Sequence, residues 1–184
     1  MKATDILRVE HENILQVINF LQNIYLKYRE GKIIDYNQLK MVLNFFRVYA
    51  DLNHHEKEER LLFPQMLAAG FPSNNSPISV MLNEHELGRS LVGNMEKALD
   101  YKGENRDLFF QNAMEYCLFL QQHISKENMI LFQLADSILD NTQQHDMLEK
   151  FKKITEHVIS DTFIQNTLDP LKKMLASTIK PQTI

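Results

Sequence analysis

The sequence predicts an all-α protein, an up-down-up-down four-helix bundle with additional C-terminal helices. Apolar residues recur at helical spacing along four long segments that are joined by short loops. Glycine and proline number only five each among 184 residues, too few for the frequent turns of an all-β fold. The hydrophobic fraction of 44% and the charged fraction of 24% are typical of an ordered globular domain.

The composition also excludes several classes of function. The single cysteine, Cys117, rules out an internal disulfide and a cysteine-rich zinc site. A net charge of −4 gives no electrostatic basis for binding nucleic acid or an anionic membrane. No apolar run is long enough to span a bilayer, and the first residues lack the apolar region of a signal peptide. We therefore expect a cytoplasmic protein.

The first two helices have recognisable ends in the sequence. Thr4 or Asp5 is expected to cap a first helix, because both side chains accept hydrogen bonds from helix N-termini. That helix is expected to stop at Gly31, a residue type suited to the left-handed turn after a helix. Asp35 is expected to cap a second helix that ends before Gly70.

Proline residues mark the middle of the chain. Pro64 should kink or terminate the second helix, because proline removes a backbone hydrogen-bond donor. Residues 71–77, with the sequence FPSNNSP, form the clearest loop. Ser76 as the cap and Pro77 as the first residue open a third helix, which is expected to reach Gly103.

The fourth helix completes the bundle and sets the division into domains. Asn105 or Asp107 is expected to begin this helix, which ends near Asp140. We assign residues 1–140 to the bundle. Residues 141–184 are then a C-terminal helical extension packed on the bundle.

The extension carries one apolar stripe on a fifth helix, formed by Met147, Phe151, Ile154 and Val158. Asp169-Pro170 is expected to start a short sixth helix. The stripe predicts packing against the outside of the bundle, and a dimer contact is the alternative.

Every predicted helix of the bundle carries at least one histidine: His11, then His54 with His55, then His85, then His123. Histidine and glutamate four residues apart lie on one helix face and can bind one metal site together. His54 with Glu58 has this spacing, and so does His123 with Glu127. Pairs in the C-terminal segment have it too, so the spacing alone does not separate a ligand from a surface ion pair.

A longer pattern separates two of these pairs from the others, because it occurs twice. The first copy has EHE at 10–12, HxxxE at 54–58 and LF at 62–63, and the second has EHE at 84–86, HxxxE at 123–127 and LF at 131–132. A duplicated helical hairpin explains the pattern simply. It predicts a bundle with approximate two-fold symmetry.

In such a bundle four imidazoles and two carboxylates converge on one level of the core: His11, His54, His85, His123, Glu58 and Glu127. Burying these polar groups without partners would be costly. Two divalent cations a few ångströms apart, with each carboxylate bridging both, would satisfy all six side chains. The duplicated pattern therefore predicts a two-metal site.

The same residues resemble the hemerythrin-like, or HHE cation-binding, domains over about residues 4–138. The resemblance is carried by Glu10-His11, HHEKEERLLFP at 54–64, NEHELGR at 83–89 and HISKENMILF at 123–132. It implies a non-haem di-iron centre, with two iron ions (Fe²⁺/Fe³⁺) and a bridging oxo or hydroxo group. The terminal ligands would be His11, His54, His85 and His123, and the bridging carboxylates Glu58 and Glu127.

The sequence departs from the oxygen-carrying members of this family at two points. Arg89 stands where those proteins have a fifth histidine, and the spacing from His123 to Glu127 is shorter than theirs. His55 is a candidate for the missing ligand, although it points about 100° around the helix from His54. With His55 as a ligand, one of about twelve octahedral positions stays open, and without it two stay open.

Four residues around the predicted site have a functional and a structural interpretation. Gly88 either gives room for a small ligand or lets helices pack closely, and Arg89 either guards the site or pairs with a glutamate. Tyr116 and Phe119 are interpreted as apolar lining, and hydrogen bonding of Tyr116 to a bound ligand is the alternative. The glutamates of the two EHE motifs either orient imidazoles or face solvent.

The resemblance implies a protein that binds or senses O2, NO or peroxide through a carboxylate-bridged iron pair. Two alternatives stay open: an iron-responsive regulatory or interaction module whose fold depends on bound metal, and a di-iron peroxidase or nitric oxide repair protein. The expected partner is the small ligand, with no nucleic acid and no membrane. A homodimer or a regulatory partner would bind through the C-terminal helices.

Overall fold

The computed structural model describes residues 1–73, 75–100 and 105–178, and all regular secondary structure within these ranges is helical. The predicted all-α class is therefore confirmed. The up-down-up-down order of the bundle and the division after residue 140 stay predictions, as does the cytoplasmic location. Among the helices within the described ranges, none combines the length and the apolar character that crossing a membrane requires.

Helix α1 spans Ala3–Arg29 and begins slightly earlier than predicted. Lys2 holds the N-cap position instead of Thr4 or Asp5. The reason is that the Asp5 side chain, in the first turn, accepts a hydrogen bond from the Lys2 backbone N–H at 2.7 Å. The predicted stop is confirmed, because Gly31 has a φ of 75° directly after the helix, a conformation that favours glycine.

The second helical stretch changes its winding along its length. Helix α2 spans Tyr36–Phe45 and begins after the predicted cap, Asp35, whose side chain accepts a backbone N–H of the first turn at 2.9 Å. Two π-helical segments follow, at Phe46–His55 and Glu58–Leu62. Helix α3, Phe63–Ala68, ends the stretch.

Pro64 does not terminate this stretch, so that part of the prediction is wrong. The π-helical segment before it closes with a hydrogen bond from the Phe63 N–H to the Glu58 carbonyl. Pro64 then lies in the first turn of α3, where a missing N–H is tolerated. The helix therefore continues to Ala68, and the change in winding comes before the proline.

Helix α4 spans Pro77–Asp100, so the predicted first residue is confirmed. The Ser76 hydroxyl, as predicted, caps the helix and accepts the Ser79 N–H at 3.4 Å. The predicted end of this helix, at Gly103, lies outside the described residues.

Helix α5 spans Arg106–Lys126 and is capped by Asn105, whose side chain accepts a backbone N–H of the first turn at 3.3 Å. Asn105 is therefore the correct one of the two predicted starts, and Asp107 lies inside the first turn. A π-helical segment at Glu127–Leu131 and helix α6, Phe132–Ile138, continue the stretch to near its predicted end.

Helix α7 spans Asn141–Val158. Its N-cap is Asp140, which forms a capping box with Gln143. Met147 and Phe151 of the predicted apolar stripe are buried. The stripe therefore packs against the rest of the chain, as its spacing indicates.

The last helical stretch begins earlier than its predicted start at Asp169. Helix α8, Asp161–Phe163, continues through a π-helical segment at Ile164–Leu168 into helix α9, Asp169–Thr178. Ser160 caps α8 by accepting the Phe163 N–H at 3.1 Å, which is why the helix begins there. The α-helix predicted to start at Asp169-Pro170 is therefore confirmed as α9, but it continues an earlier helical segment that the sequence did not predict.

Two apolar clusters fill the core, and a polar layer lies between them. On α1, Leu7 belongs to one cluster and Ile14 to the other, with His11 between them along the helix. Met147 and Phe151 of α7 belong to the cluster that contains Leu7. Helix α7 therefore shares a core with the first part of the chain, directly beside the polar layer.

Candidate metal centre

The polar layer consists of seven side chains that are almost completely buried: His11, His54, His55, Glu58, His85, His123 and Glu127. They come from α1, α4, α5 and the π-helical segments that follow α2 and α5. The structure therefore brings together the six residues of the duplicated pattern, and His55 with them. His145 and His157, which lie outside the pattern, are exposed.

The seven side chains form two groups, each of which could hold a metal ion. The three-histidine group consists of His55, His85 and His123, and the mixed group of His11, His54, Glu58 and Glu127. Within each group the potential ligand atoms all lie within 4.8 Å of one another. His55 thus takes a place beside two of the predicted ligands.

The two glutamates connect the two groups. Carboxylate oxygens of Glu58 lie 3.6 Å from His54 Nε2 and 3.4 Å from His85 Nε2. Those of Glu127 lie 3.1 Å from His11 Nε2, 3.3 Å from His123 Nε2 and 3.8 Å from His85 Nε2. Each carboxylate therefore faces at least one histidine of each group. This is the arrangement that two bridging carboxylates need.

The inward-facing polar atoms of the layer lack hydrogen bonds. Within the described part of the chain, eight buried atoms of this layer have no hydrogen bond of normal geometry: Nε2 of His11, His54, His85 and His123, and both carboxylate oxygens of Glu58 and Glu127. A buried polar group without a partner costs about 1–3 kcal/mol. Imidazole nitrogens and carboxylate oxygens are ligands for divalent transition metals, so this set of atoms fits two cations.

Each of the five histidines has its other ring nitrogen, Nδ1, within hydrogen-bonding distance of a side-chain oxygen. The pairs are His11 with Asn128 at 2.9 Å, His54 with Glu10 at 3.0 Å, His55 with Asp51 at 3.3 Å, His85 with Glu59 at 2.7 Å and His123 with Glu84 at 2.9 Å. An Nδ1–H that donates to these oxygens leaves the Nε2 lone pair directed into the layer. The outer partners thus leave the Nε2 atoms available as potential metal ligands.

The glutamates of the two EHE motifs divide between their two predicted roles. Glu10 and Glu84 orient imidazoles. Glu12 is exposed, and Glu86 pairs with Arg89. In each motif the first glutamate is therefore the one that contacts a histidine of the layer.

Sequence analysis did not identify the other three acceptors, Asp51, Glu59 and Asn128. Glu59 and Asn128 each directly follow the glutamate of an HxxxE pair, so they occupy equivalent places in the repeat. Asp51 precedes His55 by four residues, a spacing that places two residues on one helix face. Both signals are visible in the sequence once the repeat is aligned.

A second duplicated feature surrounds Glu10 and Glu84. Lys57 donates to Glu10, and Lys126 donates to Glu84. Each half of the protein therefore contains a Lys–Glu–His triad, which joins a lysine, the first glutamate of EHE and the histidine of HxxxE. The lysine directly precedes the last glutamate in both halves, so the repeat reads HxxKE.

The backbone repeats as well, because Glu58 and Glu127 each begin a π-helical segment, Glu58–Leu62 and Glu127–Leu131. In each segment the N–H of the following phenylalanine donates to the glutamate carbonyl. Short π-helical turns of this kind occur often at functional sites. The duplication thus extends to the winding of the helices at the candidate metal centre.

A cleft of about 230 Å³ reaches His55 from the surface, and Gly88, Arg89 and Tyr116 contribute to its walls. A Cβ atom at Gly88 would lie 3.4 Å from the Phe119 ring and 3.8 Å from the Tyr116 ring. Gly88 therefore lines the cleft and is in close contact with the aromatic residues of α5, and its role in giving room to a small ligand stays a prediction.

Arg89 is engaged in ion pairs at the mouth of this cleft, in agreement with the pairing interpretation. Its Nε lies 2.9 Å from Asp51 Oδ1, and its Nη2 lies 2.6 Å from Glu59 Oε1. The same two oxygens are the partners of His55 Nδ1 and His85 Nδ1. Arg89 thus fixes the outer partners of two histidines of the three-histidine group.

Phe119 and Tyr116 form apolar lining, as predicted. The Phe119 ring stacks on the His123 ring with centroids 6.0 Å apart, and Tyr116 packs edge-on against Phe46 at 4.8 Å. Burial raises the pKa of Tyr116 above its usual value, so its hydroxyl stays protonated. Hydrogen bonding of Tyr116 to a bound ligand stays a prediction.

The protonation states of the layer result from a competition between burial and neighbouring charges. Burial opposes a charge on His85, but the surrounding carboxylates, of which Glu127 contributes most, raise its pKa to about 11. Burial and the adjacent His85 lower the pKa of His55 well below its usual value. Burial opposes the ionisation of Glu127, but His123 and His11 hold its pKa well below the usual value. The metal-free layer thus retains protons that a bound metal ion would have to displace.

The fold and the polar layer define an all-α protein built around a buried histidine and glutamate cluster that is suited to binding metal ions. The chain belongs to the hemerythrin HHE cation-binding domain family, whose family model matches residues 2–135. The resemblance noted in the sequence is thereby confirmed. No curated protein and no solved structure matches the chain.

Proposed function

We propose that this chain is a non-haem di-iron protein that binds or senses O2, NO or peroxide. The observation that carries the proposal is the arrangement of the eight buried polar atoms without hydrogen bonds. They belong to two groups of potential ligands that Glu58 and Glu127 connect. Family membership supports iron as the metal.

In this proposal each of the two groups holds one iron, and His55 is the seventh protein ligand. When bound, the iron pair supplies electrons to a small oxidant and a position at which it can bind. Five imidazoles and two bridging carboxylates would supply about nine of about twelve octahedral positions, which would leave places for a bridging oxo or hydroxo group and for one small molecule. One open position suits the binding of a single small molecule.

The side chains around the layer provide the surroundings that this function needs. The Nδ1 partners hold the imidazoles in one orientation. The two apolar clusters on either side of the layer exclude water from it. The cleft beside His55, with Gly88 and Tyr116 in its wall, is the proposed approach for a small ligand.

Substitution of the histidines tests the ligand assignment. His54→Ala and His123→Ala should each reduce bound iron to well below two per chain, measured by elemental analysis after loading with ferrous iron. The matched control is His145→Ala, which changes an exposed histidine and should leave the iron content unchanged. Equal iron content in all three variants would contradict the assignment.

Optical spectroscopy tests the open position. The protein is loaded with iron without oxygen, then exposed to air and to azide. Near-ultraviolet bands that shift with azide are expected if an oxo-bridged pair has an accessible position. Reversal on removal of oxygen would favour a carrier or sensor, whereas turnover of peroxide beyond stoichiometry would favour an enzyme. Two irons per chain with no response to any of these ligands would contradict the proposed function.

A second candidate, an iron-responsive interaction module, is favoured by one specific observation. Helix α7 lies outside the range that the family model matches, yet its Thr155 hydrogen-bonds to Asn53 beside the polar layer. If this candidate is correct, chelation of iron should reduce helicity or expose the C-terminal segment to protease. A small-ligand protein without this role should keep both unchanged.

A further inference from the structure

The two Lys–Glu–His triads have the same connections but different surroundings. Lys57 of the first triad is completely buried, whereas the Lys126 side chain of the second is 40% exposed. In the first triad Asn53 adds two contacts, because it donates to Glu10 at 2.9 Å and accepts from Lys57 at 3.0 Å. The duplicated pattern does not account for this difference.

Helix α7 accounts for it, because it covers the first triad. The Thr155 hydroxyl donates to Asn53 Oδ1 at 2.9 Å, and the Lys57 ammonium lies 5.9 Å from the centre of the Phe151 ring. Phe151 is itself fully buried. Removal of α7 would expose Lys57 to water and release Asn53 from one of its partners.

The contacts continue from α7 to a predicted metal ligand without a gap. Thr155 fixes Asn53, and Asn53 and Lys57 both donate to Glu10 Oε1. The other oxygen, Glu10 Oε2, is the partner of His54 Nδ1 at 3.0 Å. An outer partner that orients a ligating imidazole typically contributes a factor of 10–100 to metal affinity.

We infer that α7 is part of the metal centre: through Thr155, Asn53, Lys57 and Glu10 it positions His54, so that metal binding and the docking of α7 stabilise each other. This inference rests on the proposed metal site. The coupling is reciprocal, because any factor by which α7 raises the affinity for metal is the factor by which metal raises the docking constant of α7. Thr155 is a positioning residue, since it acts on His54 only through other side chains.

The test uses the full chain and two readouts, a titration with Co²⁺ as the spectroscopic probe and hydrogen exchange of residues 147–158. In the unaltered protein, two Co²⁺ ions should bind, and their binding should slow exchange in α7. Thr155→Val removes the hydroxyl but keeps the shape of the side chain. It should weaken one of the two Co²⁺ sites about tenfold and remove the effect of Co²⁺ on exchange in α7.

Two further variants separate positioning from general destabilisation. Thr155→Ser keeps the hydroxyl and should retain both properties, whereas Thr142→Val changes an exposed threonine on the same helix and should alter neither. If two Co²⁺ ions bind to the unaltered protein without any change in the exchange of α7, the inference is wrong and the proposed metal site stands. If no Co²⁺ binds, both are wrong.

Discussion

Removal of metal should lower the thermal stability of this protein by an amount that follows from the two groups of ligands. Each group would bind an ion only in the folded chain, because its members come from helices far apart in the sequence. At a free metal concentration of one hundred times Kd, one ion stabilises the folded state by about 2.7 kcal/mol. Two ions of similar affinity therefore contribute about 5 kcal/mol.

This free energy corresponds to a readily measured change in Tm. In chains of about this length, 1 kcal/mol shifts Tm by roughly 2–4 °C. The expected difference between metal-loaded and metal-free protein is therefore roughly 10–20 °C. The metal-free protein should still fold, because the two apolar clusters that flank the polar layer do not depend on metal.

Circular dichroism on heating is a suitable assay, with chelator-treated protein compared before and after anaerobic addition of ferrous iron. His145→Ala should show the full shift, because this histidine is exposed. Glu58→Ala removes a carboxylate that faces both groups and should lose most of the shift. A shift of equal size in these two variants, or none in the unaltered protein at saturating iron, would refute the reasoning.

Four other predictions rest on the same structure. The pKa of His85 is raised to about 11, so His85 is protonated in the metal-free protein at neutral pH. Metal binding should therefore release protons and weaken as the pH falls, and calorimetry in buffers of different ionisation enthalpy would measure this release. Gly93→Ala should raise the free energy of unfolding by about 1 kcal/mol, because nothing lies within 4 Å of the new Cβ atom in the helix. Gly88→Val should slow azide binding in stopped-flow measurements, because its larger side chain meets the Phe119 ring at the cleft. Arg89→Lys should weaken one metal site about tenfold in a Co²⁺ titration, because lysine lacks the planar guanidinium that binds two carboxylates at once. Unchanged Co²⁺ affinity would contradict the role of Arg89 in fixing Asp51 and Glu59.

The residues of the buried layer could be predicted from the sequence because their pattern occurs twice in it. His11 and His85 stand in equivalent EHE motifs, and the HxxxE pairs stand in equivalent registers before Leu-Phe. Periodicity and capping also predicted the principal helices, since Asp35 and Asn105 stand directly before long helical patterns and accept the expected N–H groups.

Features that depend on tertiary contacts were less accessible. His55 has no counterpart in the second half of the repeat, and its place became clear only when the π-helical winding put it beside His85. Lys57 was not identified, because a lysine on a helix normally faces solvent and only the packing of Phe151 over it reveals its burial. The start of α8 was missed because Ser160 is a weak signal within a polar stretch.

The π-helical turns at Glu58 and Glu127 have a consequence for which changes the chain can accept. A π-helical turn holds one residue more than the α-helical spacing, so loss of one residue there returns the turn to α-helix and leaves the residues beyond it on the same face. Met129 and Ile130, inside the second turn, are exposed, and substitutions there should be tolerated. Deletion of either one should let the Phe132 N–H pair with the same Glu127 carbonyl in α-helical spacing and keep Phe132 in the core. The same deletion in the α-helical part of the stretch would rotate every later residue by about 100°.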